Sequence, residues 1–300
     1  MRQHASEMLK LIYKHRAAYL FILPSFTFFS VFMLYPVIRG FILAFQRYRV
    51  PPEPNTFVGF SNFVEVANDF RFMRAIVNTF TYTAFVVVGI LVISLFIAMM
   101  IFPQGNKTQS FYKSLYYLPG VTSGLIVAIQ WRWIFNPAFG LLNAIMIQLG
   151  LEPVNWLGSP QTAMPSIIFM DVSRGDGAAI LLLLASLHAI SPDVFEAAAI
   201  DGASRFQTFW RITLPLLKPI MLYLVVMGTI NAMQVFVPMF VLTRGGPEHA
   251  TVSLAYEIYQ FAFFRMMRFD LAAALGVMLF LFIMVLSIIF FKLLKDDVSY

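Results

Sequence analysis

Asp171, Arg174 and Asp176 fall within six residues, in "MDVSRGDG", with apolar sequence on both sides. Charges in such a setting pair with one another or face a cavity, because hydrocarbon does not solvate them. Asp171 and Arg174 stand three apart, a spacing that lets two side chains pair on one helix face. Further along, Thr229, Asn231 and Gln234 interrupt another apolar run. Amides both donate and accept hydrogen bonds, so Asn231 and Gln234 on a shared face suit a hydroxyl-bearing solute; interhelical hydrogen bonding is the competing use. None of this is bond-making chemistry. The chain has no cysteine, and its histidines (His4, His15, His188, His249) show no metal-ligand spacing. No nucleophile–base pair accompanies the carboxylates, and no G-x-x-x-x-G-K-[ST] phosphate loop exists. The reading is binding and passage, with no catalytic residue, no metal site and no cofactor held by this chain.

The elements that must position these groups are membrane helices. Of 300 residues 60% are hydrophobic and only 12% are charged, about half the charge fraction of a soluble domain. Apolar runs long enough to cross a bilayer, about 20 residues each, recur at 18–45, 77–102, 115–135, 166–190, 217–242 and 270–292. The fold class is therefore an all-α integral membrane protein with six transmembrane helices. Residues 1–17 form an N-terminal segment, and 18–300 form a single six-helix domain. Pro24 and Pro36 mark kink points in the first span. "NFVEVANDFRFMRAI" and "GLLNAIMIQLG" read as amphipathic stretches along the outer interface. The continuous apolar part of the fourth span, "AAILLLLASLHAI", is too short to cross alone. That span must reach back through "MDVSRGDG", where Gly175 and Gly177 can loosen the helix and expose backbone.

Basic residues orient the spans. With the N-terminus inside, all seven lysines (Lys10, Lys14, Lys107, Lys113, Lys218, Lys292, Lys295) fall inside or at an inner span end. Arg47, Arg49, Arg71, Arg74, Arg244, Arg265 and Arg268 fall outside. Both termini are placed in the cytoplasm. The net charge of +6 is spread over loops rather than gathered for a nucleic acid.

That orientation puts residues 191–216 on the cytoplasmic side, with "EAAAIDGASRFQTFWRITLP" as its patterned core. Ser191 caps a helix, Pro192 takes its first position and Asp193 sits at the positive dipole end. Gly202 suits the left-handed residue that stops this helix and turns the chain. A second helix spaces Phe206, Phe209, Trp210 and Thr213 at three and four, giving one aromatic face. Either that face packs on the protein's own core, or the hairpin is a knob for a partner.

The loop resembles the "EAA" signature of ABC importer permeases. Glu196, Ala197, Ala198, Gly202, Ile212, Leu214 and Pro215 keep its spacing without a gap, and the "DGAS" stretch with Asp201 and Ala203 is similar to the carbohydrate-uptake branch. Other stretches look like the same family in order: "FILPSFTFFSVFMLYPVIRGFILAF", "FVGFSNFVEVANDFRFMRAIVNTFTYT", "YLPGVTSGLIVAIQWRWIFNPAFGLLNAI", "LTRGGPEHAT" and "FDLAAALGVMLFLF". The chain is similar to the first-permease type of maltose, lactose and glycerol-3-phosphate importers. Ser173 departs from it, standing where relatives more often carry an aromatic.

The resemblance implies an ABC type I importer permease fold and a multi-pass place in the bacterial cytoplasmic (inner) membrane. It also implies that the loop docks on an ATPase subunit. The expected assembly is two permeases, this chain with a related second one, plus two cytoplasmic ATPases that hold ATP and Mg and an extracytoplasmic solute-binding protein. The solute would be a carbohydrate or polyol, passing near Asp171, Arg174, Asp176, Asn231 and Gln234. Thr243, Gly245, Gly246 and Pro247, in "TRGGP", would lie where the binding protein docks. The rival is a self-contained ion-coupled carrier using Asp171 and Asp176, which gives the patterned loop no task.

Overall fold

The computed structural model describes residues 14–265 and 267–294; Lys10, Lys295 and most of the 1–17 segment lie outside them. The chain is mostly helical. Helix α1 (Arg16–Leu43) passes through a π-turn at Ser30–Leu34. A wider turn there lets the chain reach Pro36, whose ring would otherwise press on the carbonyl one turn back. A two-residue ladder, β1 (Gln46–Arg47) with β2 (Thr56–Phe57), follows. Then come α2 (Ser61–Ala67), α3 (Phe70–Ile101), α4 (Asn106–Val121), α5 (Gly124–Ile134) and α6 (Leu141–Gln148). The second half holds α7 (Pro160–Arg174), α8 (Gly177–Ala189), α9 (Pro192–Ile200), α10 (Arg205–Leu216), α11 (Lys218–Met233), α12 (Leu254–Tyr259) and α13 (Phe269–Leu294).

Among the described residues α1, α3 and α13 are each long and apolar enough to cross a membrane. Two bent pairs raise that number to five: α8 with α9, at 66°, and α10 with α11, at 65°. Three expected spans are broken. The third parts at Thr122–Ser123, the fourth at Gly175–Asp176, and the fifth at 234–236, ahead of Pro238 and a π-turn at Met239–Thr243. The glycines marked the fourth break; hydropathy, which sums over a window, cannot see the other two. The "NFVEVANDFRFMRAI" stretch is also not one interfacial helix. Asp69 accepts a hydrogen bond from the Arg71 N–H at 2.9 Å and starts α3 inside it.

Helix α3, 32 residues long, is the axis, about 48 Å at 1.5 Å per residue. Three apolar clusters lie along it. Phe72 and Ala75 join Met233, Leu254, Phe261 and Leu275; Tyr82 and Val86 join Ile167, Met170 and Met239; Ala98 and Ile101 join Leu183, Leu187 and Leu217. By contrast α1 is exposed along most of its length, touching α13 at its far end, where Phe41 meets Phe280 edge-on at 5.6 Å.

The two ends of α3 differ in chemistry. At its start an ion-pair network binds loops distant in sequence. Arg268 grips both Glu65 oxygens at 2.9 and 3.1 Å and the fully buried Asp270 at 2.9 Å. Arg265 bridges Asp69 at 2.7 Å and Glu257 at 3.0 Å. Arg47 and Arg49 are paired as well, with Glu65 and Glu53. At the other end lie the patterned loop and the turn after Ile101. Arginine loops and patterned loop thus sit about the length of α3 apart.

Candidate functional site

The patterned loop is a closed hairpin. Ser191 Oγ accepts the Asp193 N–H at 3.4 Å with Pro192 at the first helical position. Helix α9 stops where Gly202 takes φ +74°. The Gly202 N–H bonds the Ala199 carbonyl at 3.1 Å, and the Ala203 N–H reaches back to the Ala198 carbonyl at 2.9 Å. This is the paired closure that satisfies the last carbonyls of a helix. Ser204 opens α10 at once with a reciprocal box: Gln207 N–H to Ser204 Oγ at 3.3 Å, Ser204 N–H to Gln207 Oε1 at 2.8 Å. Both helix ends at the turn are satisfied within the chain, so the turn is stiff without a partner.

What the hairpin shows to its surroundings is apolar. Ile200 is 86% exposed, Phe206 72% and Trp210 53%. The rings of Phe206 and Trp210 lie 6.1 Å apart and face away from the core. Of the aromatic stripe only Thr213 is buried and Phe209 half-buried. Glu196, Ala197, Asp201, Gly202 and Pro215 are exposed; Ala203, Ile212 and Leu214 are half-buried, and Ala198 is buried against the chain.

The second feature is a cavity of about 380 Å³, within the range of small-ligand sites. Its polar lining is Tyr82, Asp171, Arg174, Asp176 and Asn231; the rest is apolar, from Val86, Ile90, Val127, Met170 and Val235 among others. The breaks of the fourth and fifth spans open onto it through Gly175 and Val235–Pro238, and Gly124 brings the break of the third. Asp171 and Arg174 do not form the expected ion pair. Asp171 instead accepts the Tyr82 hydroxyl at 2.6 Å, across from α7 to α3. Asp176 caps α8, accepting the Ala178 N–H at 2.9 Å and the Ala179 N–H at 3.3 Å. Among the described residues Arg174 has no ion-pair partner. Gln234 is absent from the lining. Helix α11 ends at Met233, and the Gln234 amide turns back onto the Ile230 carbonyl at 2.9 Å. The face it was expected to share with Asn231 ends with the helix.

Tyr82 was missed from sequence. Its signal is the run "TFTYT": Thr79, Tyr82 and Thr83 lie three and four apart and are all buried, a polar stripe where the helix enters its apolar run.

Cavity and hairpin are joined twice. Helix α8 runs from Asp176, at the cavity, to Ser191, at the hairpin, and α11 runs from the far side of the hairpin to Asn231. The two helices are about 20 and about 24 Å long. Both walls of the cavity are therefore continuous with the hairpin.

At the far end of α3 the "TRGGP" turn is held from inside. Thr243 Oγ1 contacts Thr251 Oγ1 at 2.6 Å, and Thr251 donates to the Gly246 carbonyl at 2.7 Å. Gly245 takes φ +78°, and a Cβ there would lie 2.8 Å from the Tyr256 ring. Asn78 fastens the following loop by donating to the His249 and Val252 carbonyls, both at 2.9 Å. Ala250 N–H closes on the Pro247 carbonyl at 2.8 Å. Thr243 and Gly245 shape the turn, and the exposed residues are Arg244 and Glu248. Burial lowers the His249 pKa from its usual value, reinforced by Arg71, Arg265 and Arg74 and opposed by Asp69. Burial also raises the Glu257 carboxyl against the pull of Arg265 and Arg71.

A mostly helical chain with broken spans around a cavity, and a closed hairpin bridging two of its walls, defines a membrane transport subunit. Residues 70–300 match the family described as "Binding-protein-dependent transport system inner membrane component", and the chain belongs to that family. It is 34% identical over 288 residues to the trehalose/maltose transport system permease protein MalF of Thermococcus litoralis, covering 94% of this chain and 95% of that one. It is likewise 34% identical to the arabinooligosaccharides transport system permease protein AraP of Bacillus subtilis, covering 94% and 90%. A crystal structure of a bacterial ABC transporter importing the acidic polysaccharide alginate contains a chain of the same fold, with TM-score 0.84 and 26% identity over 98% of this chain and 100% of that one. A second alginate transporter structure, carrying a pentasaccharide-bound periplasmic protein, aligns with TM-score 0.81 and 27% identity over 94% of each chain.

Proposed function

We propose that this chain is the permease subunit of an ABC importer for a carbohydrate or polyol. The 191–216 hairpin is its ATPase-docking element, and the cavity around Asp171 and Asn231 is its solute path. The observation that carries this reading is the double link of hairpin to cavity through α8 and α11. ATP-driven closure of two docked ATPase subunits, which hold the ATP and Mg, would draw the hairpins together and reset the cavity walls. A solute-binding protein then delivers its cargo on the opposite side, near "TRGGP". Six spans with both termini in the cytoplasm fit this scheme, since the lysine-bearing loops and the hairpin share one end of α3 and the arginine network the other. The second permease is a related, different chain. Sugar relatives support the carbohydrate, and the polar lining offers hydroxyl partners in Tyr82, Asp171 and Asn231. In a self-contained ion-coupled carrier the exposed Ile200, Phe206 and Trp210 would have no partner. The test is saccharide-stimulated ATP hydrolysis by the reconstituted complex, wild type against Gly202→Asp. Loss of stimulation with the complex still folded supports the reading; unchanged stimulation overturns it.

A further inference from the structure

Where α3 ends, the chain turns through residues 102–105 and starts α4, leaving the last carbonyls of α3 without helical partners. Gln109, only 5% exposed, closes that turn. Its Nε2 donates to the Phe102 and Gln104 carbonyls, both at 2.9 Å. With both amide protons committed to carbonyls, Oε1 faces the other way, and there it meets His188 Nε2 at 3.0 Å. Since an amide oxygen only accepts, His188 must hold its proton on Nε2. His188 lies in the last turn of α8, just before the hairpin. Its ring also packs on Phe102 at 5.0 Å, and Phe102 in turn meets Phe195 of α9 at 6.2 Å. One polar contact, from a buried Gln109 to an exposed His188, and one aromatic stack thus tie the α3–α4 turn to the two helices that flank Ser191.

We infer that Gln109 and His188 form a mechanical clamp that carries hairpin movement into α3 and α4, beyond the α8 and α11 route. The inference rests on the docking role proposed for the hairpin. Helix α3 carries Tyr82 and α7 carries Asp171, so a pull on α3 acts on the bond that crosses the cavity. The pair are positioning residues: they touch neither solute nor ATPase. Rigidity is what the clamp needs, and on the Gln109 side a buried amide with both its protons and its oxygen bonded supplies it.

The test compares three variants in proteoliposomes holding the chain co-expressed with its own partner permease and ATPase, measuring solute taken up per ATP hydrolysed. H188F keeps a ring on Phe102 but loses the donor. Q109E keeps the shape but turns a carboxylate oxygen toward two carbonyls. H188Q keeps a donor for Gln109. H188F and Q109E should retain bound ATPase and basal hydrolysis, with uptake per ATP reduced roughly 3- to 10-fold, the factor set by one part-buried hydrogen bond on a two-state balance. H188Q should stay within about twofold, a rescue that mere packing would not give. Uptake per ATP at the wild-type level in H188F and Q109E would overturn the clamp while leaving docking intact. Loss of the ATPase from H188F would overturn it as well, by making the pair part of the docking surface. A wild-type chain that retains no ATPase would sink the docking reading itself. Should H188F fail to fold, F102L removes both ring contacts from the α3–α4 turn, outside the docking hairpin, leaves the amide network whole, and carries the same expectation.

Discussion

Gly202 is where the docking account is easiest to break. Its φ of +74° lies in the left-handed region, and a Cβ built there meets nothing within 4 Å. Any cost of substitution inside the chain is therefore backbone cost, about 1–2 kcal/mol for an ordinary L-residue and less for Asn or Asp. Folded chains hold roughly 5–15 kcal/mol in reserve, so Gly202→Asn, Gly202→Asp and Gly202→Ala should all fold. Their unfolding midpoints should fall by a few degrees, most for Ala. Coupling should follow another order. A carboxylate placed beside Asp201 and buried in a partner's groove without a counter-charge loses several kcal/mol of hydration, or about 100-fold or more in docking. Asn carries no charge and should cost far less. Unfolding ranks Ala as the worst substitution, whereas coupling ranks Asp as the worst. The assay is saccharide-stimulated ATP hydrolysis by the reconstituted complex, run beside thermal unfolding of the same preparations. If loss of stimulation follows the stability order, with Ala below Asp, the tip of the hairpin is not an interface and the docking assignment is wrong.

Three further outcomes follow from the same structure. Asn231→Ala and Tyr82→Phe should raise the solute concentration needed for half-maximal uptake by roughly 5- to 30-fold, as expected for one lost hydrogen bond to a polar solute; Gln234→Ala, outside the cavity, should change it less than twofold. Arg268→Ala leaves Asp270 buried beside Arg47 alone and should destabilise the chain by about 3 kcal/mol, seen as a lower unfolding midpoint in detergent. His249 has a lowered pKa in the folded chain, so the folded form binds that proton less tightly than the unfolded one. Its contribution to stability is full above the ordinary histidine value and lost as pH falls through the depressed one. Unfolding midpoints should therefore drop on acidification, and His249→Gln should flatten that drop.

How much of this was legible in sequence depends on the range of the interactions. The hairpin was readable because its determinants are local: a cap at Ser191, a stop at Gly202 and a second start at Ser204 stand within fourteen residues. The polar residues of the cavity were readable because Asp171, Asp176 and Asn231 violate an apolar background. Tyr82 was not, since its ring reads as apolar and its partner lies 89 residues away. Nor was the pairing of the outer arginines, since Arg268 finds Glu65 across 203 residues. Gln234 was misplaced because periodicity assumes a continuous helix, and α11 stops one residue earlier.

The central claim is that ATP hydrolysis on a partner drives solute through this chain. It is tested most directly by saccharide accumulation in proteoliposomes containing the chain with its co-expressed permease and ATPase, with and without ATP and the solute-binding protein. A saccharide should accumulate only when both are present, and not from a proton or sodium gradient alone. Accumulation driven by an ion gradient in the absence of the ATPase would contradict it.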